Sequence, residues 1–291
     1  EIVTFQDPIT SFIGVYKIKK NFRNIKIVLE SHGDFINTLE LEKNLIFPTV
    51  YRKLFLKMAS YTINKADILR AVSSSTEEQA LSFDPSKRVV RFPAWVDFEI
   101  FSKVQASRSD EKDFKILFIG SVTDRKKPHL IVEAINKIKN KDIKLYVVGP
   151  TPNENYLSQL KELVHNYDLE DQVLFTGSVD IKSVMDHYAD TNLMILPSVS
   201  EGLARVIFES QATACPVLVT DAPGMGDIVI DGQTGYIFES DNLESLTNKI
   251  QEIINNYNDA VHVGNNAKDF ILSNYSADNF KFSFKKLFDT V

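Results

Sequence analysis

The chain has 291 residues, 44% apolar and 25% charged, the composition of an ordinary globular protein, which excludes disorder, collagen and coiled coil. Its 33 Lys and Arg against 39 Asp and Glu leave a net charge of −6, which argues against a general nucleic-acid binder. One cysteine, Cys215, excludes an internal disulfide and a cysteine-built zinc site and fits a reducing, cytosolic compartment; no apolar run approaches the roughly 18 residues of a membrane span.

At about 150 residues per domain the length predicts two domains. Charge divides the chain the same way. Residues 1–105 hold 15 Lys or Arg against 12 Asp or Glu, a net of +3, and the remainder holds 18 against 27, a net of −9. The opening Glu1-Ile2-Val3 lacks the basic start and apolar segment of a signal peptide. With no initiator Met and a strand-like Ile2-Val3-Thr4-Phe5 at once, we expect the numbering to begin inside a domain, after an N-terminal piece.

In chain order, the first part predicts strands at 2–5, 25–29, 68–72 and 89–92 and helices at 9–20, 49–65 and 76–82. Ser75 followed by Glu78 reads as a capping box for the last of these. Residues 102–113, with Ser-Arg-Ser-Asp-Glu-Lys-Asp, are polar and read as an interdomain linker. Beyond them short apolar runs at 116–119, 145–148, 173–175, 193–196, 217–219 and 236–238 alternate with amphipathic helical segments. Near-continuous apolar strands suit a parallel sheet covered on both faces. The expected fold is therefore α/β, with a doubly wound second domain over 113–276. The tail from Asn242 is mostly helical with a break near 273–276, and its last helix, 277–291, is expected to pack back on the first domain.

In such sheets ligands sit beyond the carboxyl ends of the strands. The loop Gly120-Ser121-Val122-Thr123-Asp124-Arg125-Lys126-Lys127-Pro128 leads from a buried strand into a helix. Three cations at a helix start suit a bound phosphate or diphosphate, and equally a solvated turn. The loop Pro197-Ser198-Val199-Ser200-Glu201-Gly202-Leu203-Ala204 precedes a helix expected over 204–214. Glu201 on that loop and Glu209 in that helix are carboxylates that could accept from sugar or ribose hydroxyls, beside bare helix N–H groups. Two acids eight apart also occur by chance. Gly224-Met225-Gly226 resembles the start of a dinucleotide fingerprint but Val229 occupies the third glycine position, so a turn is expected. Ser31-His32-Gly33-Asp34 follows a strand; His32 is either a contact to a reacting sugar or a structural side chain. Lys17, Lys19, Lys20, Arg23 and Lys26 form a basic stretch that is either a solvated helix face or a contact for an anionic membrane surface. No Asp-x-Asp pair is present to bridge a metal to a diphosphate, so the cationic loop is the expected counter-charge.

Taken together, these loops resemble the retaining GT-B glycosyltransferases of family four, also called glycosyl transferases group 1. The likeness runs from about Ile25 to Tyr275. Its most specific part is Ser-x-x-Glu-Gly, Glu201 to Glu209, Cys-Pro-Val-Leu-Val-Thr-Asp and Asp-Gly-x-Thr-Gly in that order. Phe118-Ile119-Gly120, Arg125-Lys126 and Glu133-Ala134 are similar to the family's phosphate loop and helix, Ser31-His32-Gly33-Asp34 to its N-domain histidine motif, and residues 93–97 to its Pro-x-Gly-Val-Asp. Ser121 stands where the family often has Arg, Asp227 where it has Glu, and Ala94 where it has Asn.

The resemblance implies two Rossmann-like domains facing a cleft, with roughly a third of the acceptor-side domain missing, and a hexosyltransferase-like activity of class EC 2.4. It implies that Lys126 and Arg125 bind the donor diphosphate with Gly120 and Ser121. Glu201 and the amides of Gly202, Leu203 and Ala204 would meet sugar and phosphate, and Glu209 the ribose. His32 would meet the sugar near the reacting centre, and Gly177-Ser178-Val179 would line the base. The implied partners are a UDP- or GDP-sugar donor and a glycan or lipid-linked acceptor, without metal or other cofactor, in cell-envelope polysaccharide or glycolipid synthesis. The implied place is the cytoplasm, or the inner face of the membrane. A non-catalytic sugar-nucleotide-binding module is the alternative. A Rossmann oxidoreductase is disfavoured by the missing Gly-x-Gly-x-x-Gly, and a related epimerase or phosphorylase remains open.

Overall fold

The computed structural model describes residues 1–33, 35–36, 48–107 and 113–291. Asp34 of the histidine motif and residues 108–112 of the expected linker lie outside the described residues. The chain divides into two compact units. One comprises Glu1–Trp95, Ser200–Leu203 and Ser276–Val291, the other Val96–Val199 and Ala204–Tyr275. Residues 96–105, which composition assigns to the first part, group with the second. Phe101 is buried there edge-on to Tyr188, 5.8 Å between ring centres, and Lys268 donates to the Ser102 carbonyl at 2.8 Å.

The described strands of the first unit form one parallel sheet in the order β1 (Ile2–Gln6), β2 (Lys26–Ser31), β3 (Ile68–Ala71), β4 (Val89–Arg91). Alternation along β2 sends side chains to opposite faces. Ile27 and Leu29 join Val15, Ala59 and Ile63 in one core, whereas Val28 joins Ile68, Phe92 and Leu287 in another. The second face is covered by the helix Ala277–Asp289, whose Leu287 is fully buried. Truncating such a leucine to alanine costs about 2–5 kcal/mol.

Two local expectations are corrected. The helix predicted from residue 9 begins at Phe12, because the Asp7 carboxylate accepts the N–H groups of Ile9 and Thr10 at 2.8 Å and folds those residues into a turn. The helix predicted over 76–82 spans Ser74–Phe83. Its capping box is Ser73 with Thr76, not Ser75 with Glu78: Ser73 has the extended backbone a cap needs (φ −152°, ψ 167°), and Ser75 lies in the first turn.

The second unit holds a parallel sheet in the order β7-β6-β5-β8-β9-β10. Its strands are β5 (Phe114–Ile119), β6 (Ile143–Val148), β7 (Val173–Gly177), β8 (Leu193–Leu196), β9 (Val217–Thr220) and β10 (Tyr236–Phe238). Ile116, Leu117, Phe118 and every residue of β8 have no exposed surface. The chain winds outward from β5 to β7, returns beside β5 at β8, and winds the other way. This is the 3-2-1-4-5-6 order of a doubly wound sheet, and it opens a crevice between the carboxyl ends of β5 and β8, where ligands bind in such folds. The loops singled out in the sequence, after Ile119 and after Leu196, are those two ends.

Candidate functional site

Three adjacent strands of the second unit end in glycine: Gly120 after β5, Gly149 after β6 and Gly177 closing β7. Gly120 and Gly149 both have φ +138°, a backbone that L side chains rarely adopt. A Cβ on Gly149 would lie 2.1 Å from the Gly120 carbonyl oxygen, so the two loops meet backbone to backbone. Gly120 N–H donates to Val148 O at 2.9 Å, Val122 N–H to Pro150 O at 2.8 Å, and Gly149 N–H to Gly177 O at 2.8 Å. Sequence reading missed Gly149. Its signal is Val148-Gly149-Pro150 directly after a buried strand.

This bracing holds the loop that bears the cations. A Cβ on Gly120 would lie 3.0 Å from Lys126 Nζ, so the ammonium of Lys126 stands over the glycine at the carboxyl end of β5. The neighbouring Lys127 is turned aside by a left-handed backbone, φ 47°, and its ammonium pairs with Asp241. Pro128 then opens the helix Pro128–Ile138. That helix and Arg205–Ala212, the helix after the β8 loop, have no side-chain cap on their first N–H groups. The helices Glu154–Asn166, Ile181–Asp190 and Leu243–Asn255 are capped by Asn153, Asp180 and Asn242, while Tyr257–Asn274 has no side-chain cap either. Uncapped helix starts on either side of the crevice offer donors and a positive dipole end to an anion.

The two loops are tied together. Val199 N–H donates to the Arg125 carbonyl at 3.2 Å, and Thr220 Oγ1 at the end of β9 holds the second loop by donating to Ser198 O at 2.7 Å. Arg125, Lys126 and Ser121 are half-buried, while Gly177 and Ser178 are exposed and Val179 half-buried at the end of β7. The helix after the β8 loop spans Arg205–Ala212, with Ala204 as its buried N-cap residue rather than its first turn. Glu209 on that helix accepts from the hydroxyl of Tyr188, which is fully buried, at 3.2 Å. Burial pushes the Glu209 carboxyl above the usual carboxylate range, against the opposing Tyr188 hydrogen bond and the charge of Arg205. Tyr188 was not singled out in the sequence, where it reads as a core aromatic.

Gly224-Met225-Gly226 lies in a turn, as expected, and the residues that follow it are closely braced. Gln211 Nε2 donates to Thr234 O at 2.8 Å, Thr234 Oγ1 accepts from Ile230 N–H at 2.9 Å, and a Cβ on Gly235 would lie 2.5 Å from Val217 Cγ2.

In the first unit, His32 Nε2 lies 3.0 Å from Glu30 Oε2, and Arg70 Nη1 donates to the same oxygen. Burial raises the Glu30 carboxyl, but the His32 hydrogen bond and the Arg70 charge outweigh it and hold it below the ordinary value. Residues 200–203 belong to this unit: Glu201 is buried, Gly202 and Leu203 half-buried. A Cβ on Gly202 would lie 2.5 Å from the His32 carbonyl oxygen and 2.7 Å from Gly33 Cα. The Glu201-Gly202 turn therefore packs directly on the histidine motif.

Two parallel-sheet Rossmann-like units, one with glycine and lysine at its switch point, define the GT-B class of α/β proteins. A family model for glycosyl transferases group 1 matches residues 99–270, more than half of the chain, and the protein belongs to that family. The capsular polysaccharide biosynthesis glycosyltransferase CapM of Staphylococcus aureus is 27% identical over 197 residues, which cover 62% of this chain and 49% of CapM. The N-acetyl-alpha-D-glucosaminyl L-malate synthase of Bacillus anthracis is 24% identical over 87% of this chain and 65% of its own length. The chain thus spans about half to two thirds of these relatives. In fold it is similar to HepE of Anabaena, a structure determined in complex with UDP, with a TM-score of 0.84 at 16% identity over 100% of this chain and 79% of HepE. Among the described residues, no helix is long and apolar enough to cross a membrane.

Proposed function

We propose that the protein transfers a sugar from a nucleotide-diphosphate donor to an acceptor hydroxyl with retention of configuration and without a metal. The observation that carries this reading is the ammonium of Lys126 over Gly120 at the carboxyl end of β5, beside an uncapped helix start. As the bond to the sugar breaks, negative charge grows on the leaving diphosphate. A fixed cation and fixed N–H dipoles stabilise that charge more than the ground state, which is what lowers a barrier. Lys126 takes this role with Arg125, Gly120 and Ser121 around it. Glu209 holds the ribose, and Gly177, Ser178 and Val179 flank the base. Glu201, Gly202, Leu203 and Ala204 meet the donor sugar, and His32 a hydroxyl near the reacting carbon.

The donor is a UDP- or GDP-sugar, a reading supported by HepE, which is solved with UDP and with UDP-glucose. The acceptor is a glycan or lipid-linked glycan of cell-envelope synthesis, supported by the relationship to CapM. The cytoplasm is the proposed place of action, a reading that the nucleotide-sugar donor supports. Contact with an anionic membrane surface is supported by the helix Phe12–Asn21 and the residues after it, where Ile13, Tyr16 and Phe22 are exposed among Lys17, Lys20 and Arg23. Co-sedimentation with anionic but not neutral vesicles, lost on reversing those three charges, tests the contact.

The deciding experiment is thermal unfolding with UDP, GDP and their sugars in EDTA, followed by release of free nucleotide. A ligand at about 100 times its Kd stabilises by about 2.7 kcal/mol. Stabilisation by one base series in EDTA supports the metal-free donor site, and stabilisation only with added metal refutes it. Binding without any transfer favours the second reading, a sugar-nucleotide-binding module, which the partial coverage of CapM keeps in play.

A further inference from the structure

The phosphate and sugar roles leave unused a buried pair of ionised groups in the first unit. Glu30 and Arg70 are register partners on β2 and β3, with side chains only 7% and 2% exposed. Arg70 Nη2 donates to Pro93 O at 2.8 Å. Its guanidinium carbon stands 4.2 Å from the ring centre of Phe92 and 4.8 Å from that of Phe284, on the helix Ala277–Asp289. Arg70 Nε is buried without a hydrogen-bond partner.

A buried ion pair is weak evidence for stability, because apolar side chains of similar volume often serve as well. Here the pair also carries an orphaned N–H. What it supplies that apolar residues could not is a fixed anion beside His32. The Glu30 carboxyl is held ionised, and an ionised carboxylate can only accept hydrogen bonds. Its contact with His32 at 3.0 Å therefore requires the proton to be on Nε2. In a neutral imidazole Nδ1 is then left with a lone pair. The His32 side chain is 36% exposed, so the ring is reachable from outside.

We propose that Glu30 and Arg70 are positioning residues that hold His32 as its Nε2-protonated tautomer and so present Nδ1 as an acceptor for a donor-sugar hydroxyl, the last clause resting on the donor reading above. The aromatic rings from Phe92 and Phe284 fix the guanidinium, the guanidinium fixes the carboxylate, and the carboxylate fixes the ring.

The test is a long-range 1H–15N correlation spectrum of the histidine-labelled chain at about pH 8, with His32 assigned by His32→Gln. The wild type should show His32 as the neutral Nε2–H form. A paired variant, Glu30→Leu with Arg70→Met, removes both charges without stranding either. It should melt cooperatively while its His32 loses the single tautomer and populates Nδ1–H. Glu30→Gln with Arg70→Met, in which no guanidinium holds the amide oxygen toward His32 and the amide can either donate or accept, gives the same readout should the first pair fail to fold. An Nδ1–H or doubly protonated His32 in the wild type, or an unchanged Nε2–H form in the folded variants, overturns the proposal. Saturating UDP-glucose should move the Nδ1 resonance beyond the effect of UDP alone, and no further movement overturns the hydroxyl contact. A wild type that binds neither compound refutes the donor reading instead, and the tautomer result in the free protein is read independently of it.

Discussion

Replacing two adjacent lysines one at a time separates a phosphate ligand from a surface charge. Lys126 and Lys127 are neighbours in sequence, but their ammonium groups go to different places. Nζ of Lys126 is near the Gly120 backbone at the crevice, and Nζ of Lys127 is paired with Asp241. A hydrogen bond from a charged donor contributes about 1.5–3 kcal/mol, which at about 1.4 kcal/mol per tenfold is roughly a 10- to 150-fold change in Kd. Lys126→Ala should weaken UDP binding by that factor and flatten its salt dependence, since one charge fewer faces the diphosphate. The partner of Lys127 has a side chain 58% exposed, and such surface pairs contribute about 0–1 kcal/mol to stability. Lys127→Ala should therefore leave UDP affinity within about twofold. Titration calorimetry of both variants at two salt concentrations reads all four values. Equal losses would mean that general charge, not the position over Gly120, attracts the nucleotide, and an unchanged Kd in Lys126→Ala would remove it from the phosphate role.

Three further outcomes follow from the same geometry. Gly149→Ala forces a Cβ into the Gly120 carbonyl at a left-handed φ and should cost about 2–5 kcal/mol from backbone strain and overpacking together; a urea midpoint matching the wild type would refute the close approach. Tyr188→Phe removes the hydrogen bond that opposes the raised Glu209 carboxyl, so Glu209 should protonate at still higher pH. If Glu209 must be ionised to accept from ribose, the acid-side loss of UDP affinity moves to higher pH in the variant, and superimposable profiles would argue against that role. Glu30 ionises below its unfolded value of 4.5, so its contribution to stability is present above that pH and is lost as pH falls through the lower folded value. Denaturation between about pH 6 and pH 3 should show a steeper loss in the wild type than in Glu30→Leu with Arg70→Met, and parallel curves would deny the depressed carboxyl.

Much of this was legible in the sequence, because it depends on short-range pattern. Apolar runs such as Ile116–Ile119, alternating with amphipathic segments, read as strands buried on both faces, and a parallel sheet directs the search for a site to the loops after them. What escaped depends on pairings far apart in the chain. Glu30 and Arg70 are 40 residues apart and meet only through the β2–β3 register. Ser73, Ser74 and Ser75 are each able to cap a helix, and the end of β3 at Ala71 decides in favour of Ser73. The resemblance already prefers Lys126 to Lys127, but what turns Lys127 aside, a left-handed backbone and an aspartate 114 residues away, is not visible in it. Tyr188 reads as core because it is core; its one polar atom, pointed at Glu209, is not visible to periodicity.

The last part of the family-specific stretch, Asp231 to Gly235, is taken up by its own packing. In Asp231-Gly232-Gln233-Thr234-Gly235, Thr234 accepts the Ile230 N–H with its hydroxyl and the Gln211 amide with its carbonyl, and Gly235 fits against Val217 where a methyl group could not. Gln211 lies two residues beyond Glu209 on the same helix. Gln211 thus braces the helix against the 222–235 turn while Tyr188 holds the Glu209 carboxylate itself. In the proposed donor site, where Glu209 meets the ribose, the carboxylate needs its carrier fixed to a fraction of an ångström, since misplacement by about 1 Å can cost about 100-fold. The motif is specific because a close-packed turn has few solutions, and what that turn secures is the helix position on which Glu209 depends.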